Sequence, residues 1–402
     1  GQPKGVMLSH GNLTSNVTAS LERTPFHVPE GEDRRVLSYL PLSHVFERMI
    51  TYLHIELGCS VYFVESHEEL LEDLQEVRPV HFASVPRLLE KIVIGVKVKA
   101  GQAAGLQGRL LRWAIEQAET YDVETGAASV RHRLADVLVF GKLRQRFGGQ
   151  LQSITCGGAA LSAPVMNFIN AIGIFCGQGY GMTETSPVVS VYRSDRLRAG
   201  SVGTLLRGVE LRVAEDGELL VKGPNVMKGY HNHPDQTRDV FTEDGWLRTG
   251  DIGHVDDDGF LFITDRKKEL LKLSTGKYVA PQPIEVALSA TRYIEQAMVV
   301  GNARRFCAVL LFVNEEAVHA HCREAGLPDQ QPPFGESRAV CALVQETIDA
   351  VNQGLPPWEQ IKKFRILDEP FTIESGELTP TLKLKRRQIL DHRKADVASL
   401  YA

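Results

Sequence analysis

Residues 178–185 bring together side chains that can perform three kinds of chemistry. The segment reads Gln-Gly-Tyr-Gly-Met-Thr-Glu-Thr. Tyr180 can stack on a flat ring, Thr183 can donate a hydrogen bond to a phosphate, and Glu184 can ligate a hard cation such as Mg²⁺, which prefers carboxylate and phosphate oxygens. The competing interpretation is a surface turn with an exposed glutamate. The glycine spacing matches neither the dinucleotide fingerprint nor a complete P-loop.

Five other segments carry groups that suit an anionic ligand. A lysine–glycine pair before a predicted helix can present an ammonium and backbone N–H groups to a phosphate. Two glycines after a predicted strand let a ligand approach the backbone closely, and a fixed aspartate can accept hydrogen bonds from two hydroxyls. Each also has an ordinary interpretation as a loop, a turn or a solvated run of charges. These segments are residues 4–5, 157–159, 248–251, 265–269 and 378–383.

The order and spacing of these segments resemble those of the adenylate-forming, or AMP-binding, superfamily, and within it the bacterial long-chain fatty-acyl-CoA synthetases. Gly-Gln-Pro-Lys-Gly-Val-Met-Leu-Ser-His at 1–10 resembles the second half of the family's phosphate loop. Leu-Pro-Leu-Ser-His-Val-Phe-Glu-Arg at 40–48 resembles its long-chain substrate motif. The likeness covers almost the whole chain. Because the Ser-Gly-Thr-Thr stretch that opens the family's loop is missing, the resemblance implies an N-terminally truncated sequence.

The resemblance implies a two-step reaction that uses ATP, Mg²⁺ and coenzyme A. A fatty acid and Mg·ATP would give acyl-AMP and pyrophosphate, and the thiol of coenzyme A would then displace AMP. Such a reaction depends on positioning and charge stabilisation, because a carboxylate is a poor nucleophile and the triphosphate is negatively charged. Two alternatives stay open. One is another adenylating enzyme, either an aryl-CoA ligase or an acyl-AMP ligase that serves a carrier protein; the other is an inactive nucleotide-binding fragment.

The resemblance also assigns roles to individual residues. Lys383 would be the catalytic lysine that bridges the attacking carboxylate and the α-phosphate, although Leu382 stands where the family often has glycine. Thr183 would contact the α-phosphate and Glu184 would ligate Mg²⁺. His44 would gate the acyl site, with a core or cap histidine as the competing interpretation. The expected cofactor-binding residues are Lys4, Gly157, Gly158, Ala159, Gln178, Gly179, Tyr180, Gly181, Thr183, Asp251, Arg266, Lys268 and Lys272. The expected thiol approach consists of Gly276, Lys277 and Tyr278.

Alternating strand and helix patterns must position these residues. Short apolar runs predict parallel strands flanked by helices, and open sheets of that kind bind ligands at their strand ends. Asp-Gly pairs at 216–217 and 258–259 predict two hairpins. The runs that predict parallel strands lie at 36–40, 61–64, 80–85, 154–156 and 172–175.

The predicted fold class is α/β. It has a large multi-layer α/β domain with a β subdomain, and a small mobile C-terminal α+β domain. We expect the large domain to span residues 1–264, divided into an α/β part at 1–200 and the β subdomain at 201–264. The C-terminal domain would span 265–402, with a hinge near 265–268. Its rotation about that hinge would present different residues to the two steps of the reaction.

Composition excludes several classes of protein. A net charge of −5 argues against a non-specific nucleic-acid binder. Six scattered cysteines without a C-x-x-C pair are typical of reduced intracellular thiols. No apolar run approaches the roughly 20 residues that a membrane-spanning helix needs. We therefore expect a cytoplasmic enzyme whose partners are fatty acid, ATP and coenzyme A, with no nucleic acid. Peripheral contact with the inner face of the membrane and a homodimer are left open.

Overall fold

The computed structural model describes residues 4–24, 26, 34–64, 69–379 and 382–402. The first three residues of the predicted phosphate loop and residues 380–381 lie outside that set. So do residues 67–68, where the helical spacing of residues 67–77 predicts the start of a helix. The chain divides into two compact units, Gly1–Leu89 with Leu110–Ile263, and Glu90–Arg109 with Thr264–Ala402. Residues 90–109, which the sequence prediction places in the large domain, group with the second unit, where Lys91 lies 3.9 Å from the carboxylate of Glu295.

Helices and strands alternate through most of the first unit. Across the described ranges, no helix combines the length and the apolar character needed to cross a membrane. Short 3-10 turns cover Thr183–Thr185 and Phe334–Glu336. A π-helical turn at Asp136–Phe140 lies between the helices at Val130–Ala135 and Gly141–Gln145. The helices are α1 (His10–Leu21), α2 (Val45–Glu56), α3 (Leu70–Val77), α4 (Pro86–Gln102), α5 (Gly105–Glu119), α6 (Val130–Ala135), α7 (Gly141–Gln145), α8 (Ala163–Ala171), α9 (Pro234–Val240), α10 (Pro281–Ser289), α11 (Glu315–Glu324), α12 (Arg338–Asn352), α13 (Arg386–His392) and α14 (Lys394–Leu400).

The strands form several separate sheets within the described residues. They are β1 (Val6–Met7), β2 (Arg35–Ser38), β3 (Ser60–Phe63), β4 (His81–Ser84), β5 (Ser153–Cys156), β6 (Phe175–Gly181), β7 (Val188–Val191), β8 (Thr204–Leu205), β9 (Glu210–Val213), β10 (Glu218–Lys222), β11 (Gly229–Tyr230), β12 (Leu247–Val255), β13 (Leu261–Arg266), β14 (Leu271–Lys272), β15 (Tyr278–Val279), β16 (Ile294–Val300), β17 (Cys307–Val313) and β18 (Ile361–Ile366).

The main sheet of the first unit has the order β3-β2-β4-β5-β6-β7-β8. Strands β2 to β6 run parallel, as predicted, while β7 and β8 are antiparallel additions. Its central strands are buried on both faces, because helices cover the crossovers of a parallel sheet. Phe82 of β4 and Ile154 of β5 are completely buried. The carboxyl ends of β4, β5 and β6 therefore lie along one edge of the sheet. The first of the predicted site residues lie at this edge.

The prediction of a strand at 172–175 was wrong. Ile172 ends α8, and Gly173 turns the chain with a φ of +83° before β6 begins at Phe175. Strand β6 continues through Gly177, Gly179 and Gly181, whereas the predicted strand at 172–175 was expected to end in a glycine turn. A Cβ on Gly177 would lie 2.3 Å from the ring of Tyr192, and one on Gly181 would lie 1.8 Å from the carbonyl oxygen of Pro187. Glycine is needed here because neighbouring chain crosses the strand closely, which a pattern of apolar residues does not reveal.

A second sheet forms the β subdomain, with the order β13-β12-β10-β9. Both predicted hairpins are confirmed. Gly217 and Gly259 adopt φ angles of +82° and +84°, which favour glycine at the turns. Strand β12 carries Asp251, which is only 3% exposed. The pair β1–β11 is antiparallel and sets Val6 opposite Tyr230.

The second unit is built on the sheet β16-β17-β18. Alternate residues of β16 face opposite sides, as the period of a strand requires. Val299 packs with residues of α10 and α12 in one apolar cluster, whereas Met298 and Val300 pack with Phe371 and residues of α13 and α14 in the other. The apolar runs at 297–300 and 306–313, on either side of a turn at 302–305, predict the antiparallel pairing of β16 with β17, which is confirmed. The parallel partner β18 was not predicted.

Candidate active site

Glu184 sits in the 3-10 turn that follows β6, and a tyrosine orients its carboxylate. The hydroxyl of Tyr230 donates a hydrogen bond to Glu184 Oε1 at 2.7 Å, and the N–H of Met227 donates to the Glu184 carbonyl oxygen at 2.9 Å. Burial, together with the neighbouring carboxylate, raises the pKa of Tyr230, so the phenol remains a donor at neutral pH. Lys4 Nζ lies 4.3 Å from the centre of the Tyr230 ring. The structure thus brings Lys4 and Glu184 together through a residue that the sequence analysis missed.

Two buried asparagines hold the turn in place. Asn225 Nδ2 donates to the carbonyl oxygens of Thr185 and Val188 at 3.0 and 3.1 Å. Asn16 Nδ2 donates to the same Val188 carbonyl at 2.7 Å, and Asn16 Oδ1 accepts from the Val188 N–H at 3.1 Å. Buried amides of this kind replace lost hydration and fix local backbone. The sequence analysis missed both, since each lies far along the chain from the turn it supports.

Tyr180 and Asp251 form a second pair. The Tyr180 hydroxyl donates to Asp251 Oδ2 at 2.6 Å. The Asp251 N–H donates to Thr249 Oγ1 at 3.1 Å, and that hydroxyl donates to the Leu219 carbonyl oxygen at 2.8 Å. Tyr180 also packs against a small apolar cluster formed by Val202, Leu219 and Leu261. Two residues predicted to bind the adenine ring and the ribose are therefore in direct contact with each other.

The loop after β5 is shaped by its glycines and by a buried glutamine. Gly158 has a φ of +86°, and a Cβ on Gly157 would lie 2.9 Å from the nearest ring atom of Phe46. Gln178 Nε2 donates to the Ala159 carbonyl oxygen at 2.9 Å, and Gln178 Oε1 accepts from the Leu161 N–H at 3.1 Å. Gln178 is thus placed as a support for this loop, and its predicted contact with the cofactor stays a prediction.

The remaining glycine of the motif, Gly179, lies on β6 opposite Val191. His44 lies at the N-terminus of α2, where its Nδ1 accepts a hydrogen bond from the Phe46 N–H at 3.3 Å. The competing interpretation of His44 as a capping residue is therefore observed, and its role as a gate stays a prediction.

In the second unit, the predicted hinge residue Asp265 is completely buried. Its carboxylate oxygens accept hydrogen bonds from the N–H groups of Arg266 at 2.5 Å and Gln282 at 3.2 Å. Burial nevertheless raises the pKa of Asp265 to about 6, with the nearby guanidinium of Arg386 opposing the shift. Arg266 ends β13, and Lys268 follows in the next turn.

The residues predicted for the thiol approach lie on one small hairpin. In the β14–β15 pair Lys272 is opposite Tyr278, with Lys272 Nζ 5.5 Å from the centre of the tyrosine ring. Gly276 makes the turn with a φ of +84°. Lys277 Nζ lies 4.8 Å from the centre of the Trp358 ring. The hairpin therefore gathers all three predicted thiol-side residues and Lys272.

Leu378 and Leu384, on either side of Lys383, form an isolated antiparallel bridge. We call the described residues Thr379, Leu382 and Lys383 between them the Lys383 loop. The Thr379 N–H donates to the Lys383 carbonyl oxygen at 2.9 Å, and the Lys383 N–H donates to Thr379 Oγ1 at 3.0 Å. Leu382 has a φ of +59°, a left-handed conformation that favours glycine. This geometry gives a physical reason for the glycine that the resemblance led us to expect there.

The donor set around Glu184 suits Mg²⁺ held jointly with a nucleotide. Magnesium is usually bound through one or two protein carboxylates plus substrate phosphates, with waters completing the shell. Glu184 supplies one such carboxylate, and Thr183 lies beside it. Among the described residues there is no cluster of three or more His, Cys, Asp or Glu that would hold a cation without a substrate.

Comparison with models of known protein families identifies the family of the chain. Residues 1–231 match the model of the AMP-binding enzyme family, and residues 268–402 match that of the AMP-binding enzyme C-terminal domain. The chain belongs to the AMP-binding enzyme family. The resemblance inferred from the motifs is therefore confirmed.

Curated relatives place this AMP-binding enzyme near the long-chain-fatty-acid–CoA ligases. The chain is 36% identical to the long-chain-fatty-acid–CoA ligase FadD15 of Mycobacterium bovis, over all of this chain and 67% of the relative. It is 35% identical to long-chain-fatty-acid–CoA ligase 5 of Rattus norvegicus, over all of this chain and 60% of the relative. The chain thus spans about two thirds or less of the length of these proteins.

Solved structures confirm the predicted fold. The A domain of carboxylic acid reductase from Segniliparus rugosus, in complex with AMP and a co-purified carboxylic acid, has a TM-score of 0.76 at 22% identity. That match covers 99% of this chain and 60% of the other. O-succinylbenzoate coenzyme A synthetase from Bacillus subtilis, in complex with ATP and magnesium ion, has a TM-score of 0.65 at 21% identity, covering 96% and 67%.

Proposed function

We propose that the protein to which these residues belong activates long-chain fatty acids. The fatty-acid carboxylate attacks the α-phosphate of ATP, which gives acyl-AMP and pyrophosphate; the thiol of coenzyme A then attacks the acyl carbonyl, which releases AMP and leaves the thioester. The observation that carries this proposal is the 36% identity with a long-chain-fatty-acid–CoA ligase along the entire chain. The paired contacts of Tyr180 with Asp251 and of Tyr230 with Glu184 support it, because they fix one carboxylate within β12 and another in the turn after β6.

Each group has a stated task in the first step. Tyr180 and Asp251 hold the adenosine, with Asp251 accepting hydrogen bonds from the ribose hydroxyls. Glu184, aligned by Tyr230, would be the protein carboxylate that holds Mg²⁺. When bound, Mg²⁺ neutralises charge on the phosphate oxygens. Lys383 places its ammonium between the carboxylate and the α-phosphate, where charge builds in the transition state.

The second step calls on different residues of the C-terminal domain. Rotation about the hinge at 265–268 withdraws Lys383 and presents the hairpin that carries Lys272, Lys277 and Tyr278 to the incoming thiol. Domain closure and reopening between steps is a recognised way to assemble a site twice. The scattered free cysteines suit a reducing, cytoplasmic compartment. Peripheral contact with the membrane and a homodimer stay predictions.

The roles of Lys383 and of coenzyme A are tested together in the full-length protein. Palmitate and ATP are supplied with and without coenzyme A, and Lys383→Ala is compared with Lys385→Ala, an exposed lysine two residues away. We expect Lys383→Ala to lower palmitate-dependent pyrophosphate exchange by at least about a hundredfold, because it removes a charge contact made in the transition state. Thioester formation from supplied palmitoyl-AMP should change much less.

Three results would contradict this account. Equal loss of both half-reactions in Lys383→Ala would remove its assigned role, as would an equal effect of Lys385→Ala on pyrophosphate exchange. Palmitoyl-AMP that accumulates unchanged in the presence of coenzyme A would indicate an acyl-AMP ligase that serves a carrier protein. Binding of ATP without any pyrophosphate exchange in the unaltered protein would indicate a non-catalytic protein.

A further inference from the structure

Two carboxylates and one backbone carbonyl bind a single guanidinium inside the second unit. Arg386 donates from Nη2 to Glu285 Oε2 at 2.5 Å, from Nε to Glu269 Oε2 at 3.3 Å, and from Nη1 to the Val299 carbonyl oxygen at 3.2 Å. The side chains of Arg386 and Glu285 are 14% and 9% exposed. Because desolvation offsets much of the attraction in a buried ion pair, such a pair is weak evidence for a purely stabilising role. The segments that this ion pair connects indicate its role more directly.

On one side, the cluster reaches the predicted hinge. Glu285 lies on α10, and its Oε1 accepts a hydrogen bond from the Val299 N–H of β16 at 2.6 Å. The N-terminus of the same helix contacts the hinge, since the Gln282 N–H donates to Asp265 Oδ2 at 3.2 Å. Glu269 belongs to the turn after the hinge, where its N–H donates to the Arg266 carbonyl oxygen at 2.8 Å. Arg386 is therefore bonded to α10 and to the turn that follows Asp265.

On the other side, the cluster reaches the Lys383 loop. Arg386 is the first residue of α13 and lies three positions after Lys383. The Lys385 N–H donates to the Glu377 carbonyl oxygen at 2.8 Å, so the chain has little freedom between the loop and the helix. Ile389, one turn into α13, is completely buried. The position of Arg386 therefore constrains where the C-terminal end of the Lys383 loop can lie.

The hairpin predicted for the second step is held separately. The Leu273 N–H donates to the Lys277 carbonyl oxygen at 2.9 Å, and the Lys272 N–H donates to Asn302 Oδ1 at 3.2 Å. The Ser274 N–H donates to the Arg304 carbonyl oxygen at 2.8 Å. None of these hydrogen bonds involves Arg386. Loss of the guanidinium should therefore disturb the Lys383 loop much more than the hairpin.

We propose that Arg386 is a positioning residue for acyl-AMP formation, fastening the Lys383 loop to α10 and to the segment 265–269 so that the lysine and the hinge turn as one body. The planar guanidinium is required because its fork reaches two carboxylates and a carbonyl in fixed directions, which the single ammonium of lysine does not do. The proposal rests on the proposed function, since it assumes that Lys383 acts in the first step.

The test compares Arg386→Gln and Arg386→Lys with Arg387→Gln in the full-length protein. Arg387 is the exposed neighbour and serves as the matched control. We expect Arg386→Gln to lower kcat for palmitate-dependent pyrophosphate exchange at least about twentyfold while KM for ATP stays within about threefold, because a displaced lysine affects the transition state more than ground-state binding. Arg386→Lys should restore only part of the rate. Thioester formation from palmitoyl-AMP should stay within about threefold.

A structural role without positioning would lower both half-reactions equally, and that result overturns the proposal. The proposal is also overturned if Arg386→Gln keeps pyrophosphate exchange within about twofold of normal although Lys383→Ala abolishes that exchange. Undiminished exchange in Lys383→Ala instead removes the role assigned to Lys383, and absence of palmitate-dependent exchange in the unaltered protein removes the proposed function, so these failures are distinguishable. Should Arg386→Gln not fold, Glu269→Gln removes the more exposed of the two carboxylates that bind Arg386, and we expect it to slow only pyrophosphate exchange. Equal effects of Glu269→Gln on both half-reactions, or none, count against the proposal.

Discussion

Tyr180 offers the sharpest separation of two roles within one side chain. Its ring suits stacking on a base, while its hydroxyl donates to Asp251 Oδ2 at 2.6 Å. Tyr180→Phe keeps the ring and removes the donor. We expect KM for ATP to rise about three- to tenfold, which is about 0.7–1.4 kcal/mol. This is less than the roughly 1.5–3 kcal/mol of a hydrogen bond to a charged group, because Thr249 still supports the Asp251 backbone. Tyr180→Ala should raise KM further, because the stacking surface is lost as well.

Steady-state kinetics with varied ATP measure this difference, and Tyr62→Phe on the edge strand β3 is the control, because Tyr62 is 39% exposed. An unchanged KM in Tyr180→Phe would show that the hydroxyl does not help to place Asp251.

Residue types were easier to predict than residue partners. Tyr180, Glu184 and Asp251 were chosen from the sequence because motif spacing carries information about chemistry. Tyr230 lies 46 positions from Glu184, and Asn16 lies 172 positions from Val188. A single sequence holds no local signal for a contact that depends on how distant segments meet. Supporting residues of this kind therefore appear only with the fold.

At the scale of elements, β6 shows why regular patterns were predicted well and special ones were not. The parallel strands and both Asp-Gly hairpins follow from apolar runs and turn residues. In β6 the decisive residues are glycines that make room for Tyr192 and for the Pro187 backbone. A periodic pattern of apolar residues does not show where a strand needs glycine because neighbouring atoms leave no room for a side chain. The boundary near Ile172 was missed for that reason, and the site-bearing part of the strand was taken for a loop.

Two glycines of β6 should respond very differently to a methyl group. A Cβ on Gly181 would lie 1.8 Å from the Pro187 carbonyl oxygen, whereas one on Gly179 would be 3.3 Å from Val191 Cγ2. We expect Gly181→Ala to destabilise the protein by about 2–3 kcal/mol and to weaken ATP binding, because the turn that carries Glu184 must shift. Gly179→Ala should cost under about 1 kcal/mol.

Urea denaturation and ATP titration of both variants measure the contrast between the two glycines. Equal stability of Gly179→Ala and Gly181→Ala would contradict the close crossing of Pro187 over the strand.

For the whole molecule, buried ionisable groups make stability depend on pH in opposing ways. Glu47 on α2 is 1% exposed; its Oε1 accepts a hydrogen bond from Ser38 Oγ at 2.5 Å, and its Oε2 has no hydrogen-bond partner within the described residues. Burial raises the pKa of Glu47 from 4.5 to about 7. On the same helix, burial lowers the pKa of His54 from 6.5 to about 4. His54 Nε2 lies 2.8 Å from His81 Nδ1.

The two shifts act with opposite sign. Between pH 4.5 and 7 the unfolded chain has released the Glu47 proton while the folded protein retains it, so the contribution of Glu47 to stability is complete below pH 4.5 and is lost as the pH rises towards 7. Between pH 6.5 and 4 the unfolded chain protonates His54 while the folded protein does not, so that contribution is present above pH 6.5 and is lost as the pH falls. The pH profile of the unaltered protein therefore hides both effects.

A difference measurement isolates the carboxyl group. Glu47→Gln keeps the shape of the side chain and removes its titration, so the free energy of unfolding of the variant relative to the unaltered protein should rise by roughly 2–3 kcal/mol between pH 4.5 and pH 7. Glu56→Gln, an exposed change at the end of the same helix, should leave the two curves parallel. Urea denaturation at several pH values measures both. Parallel curves for Glu47→Gln would mean that Glu47 is ionised in the folded protein at neutral pH, and that the pocket beside Ser38 accommodates the charge.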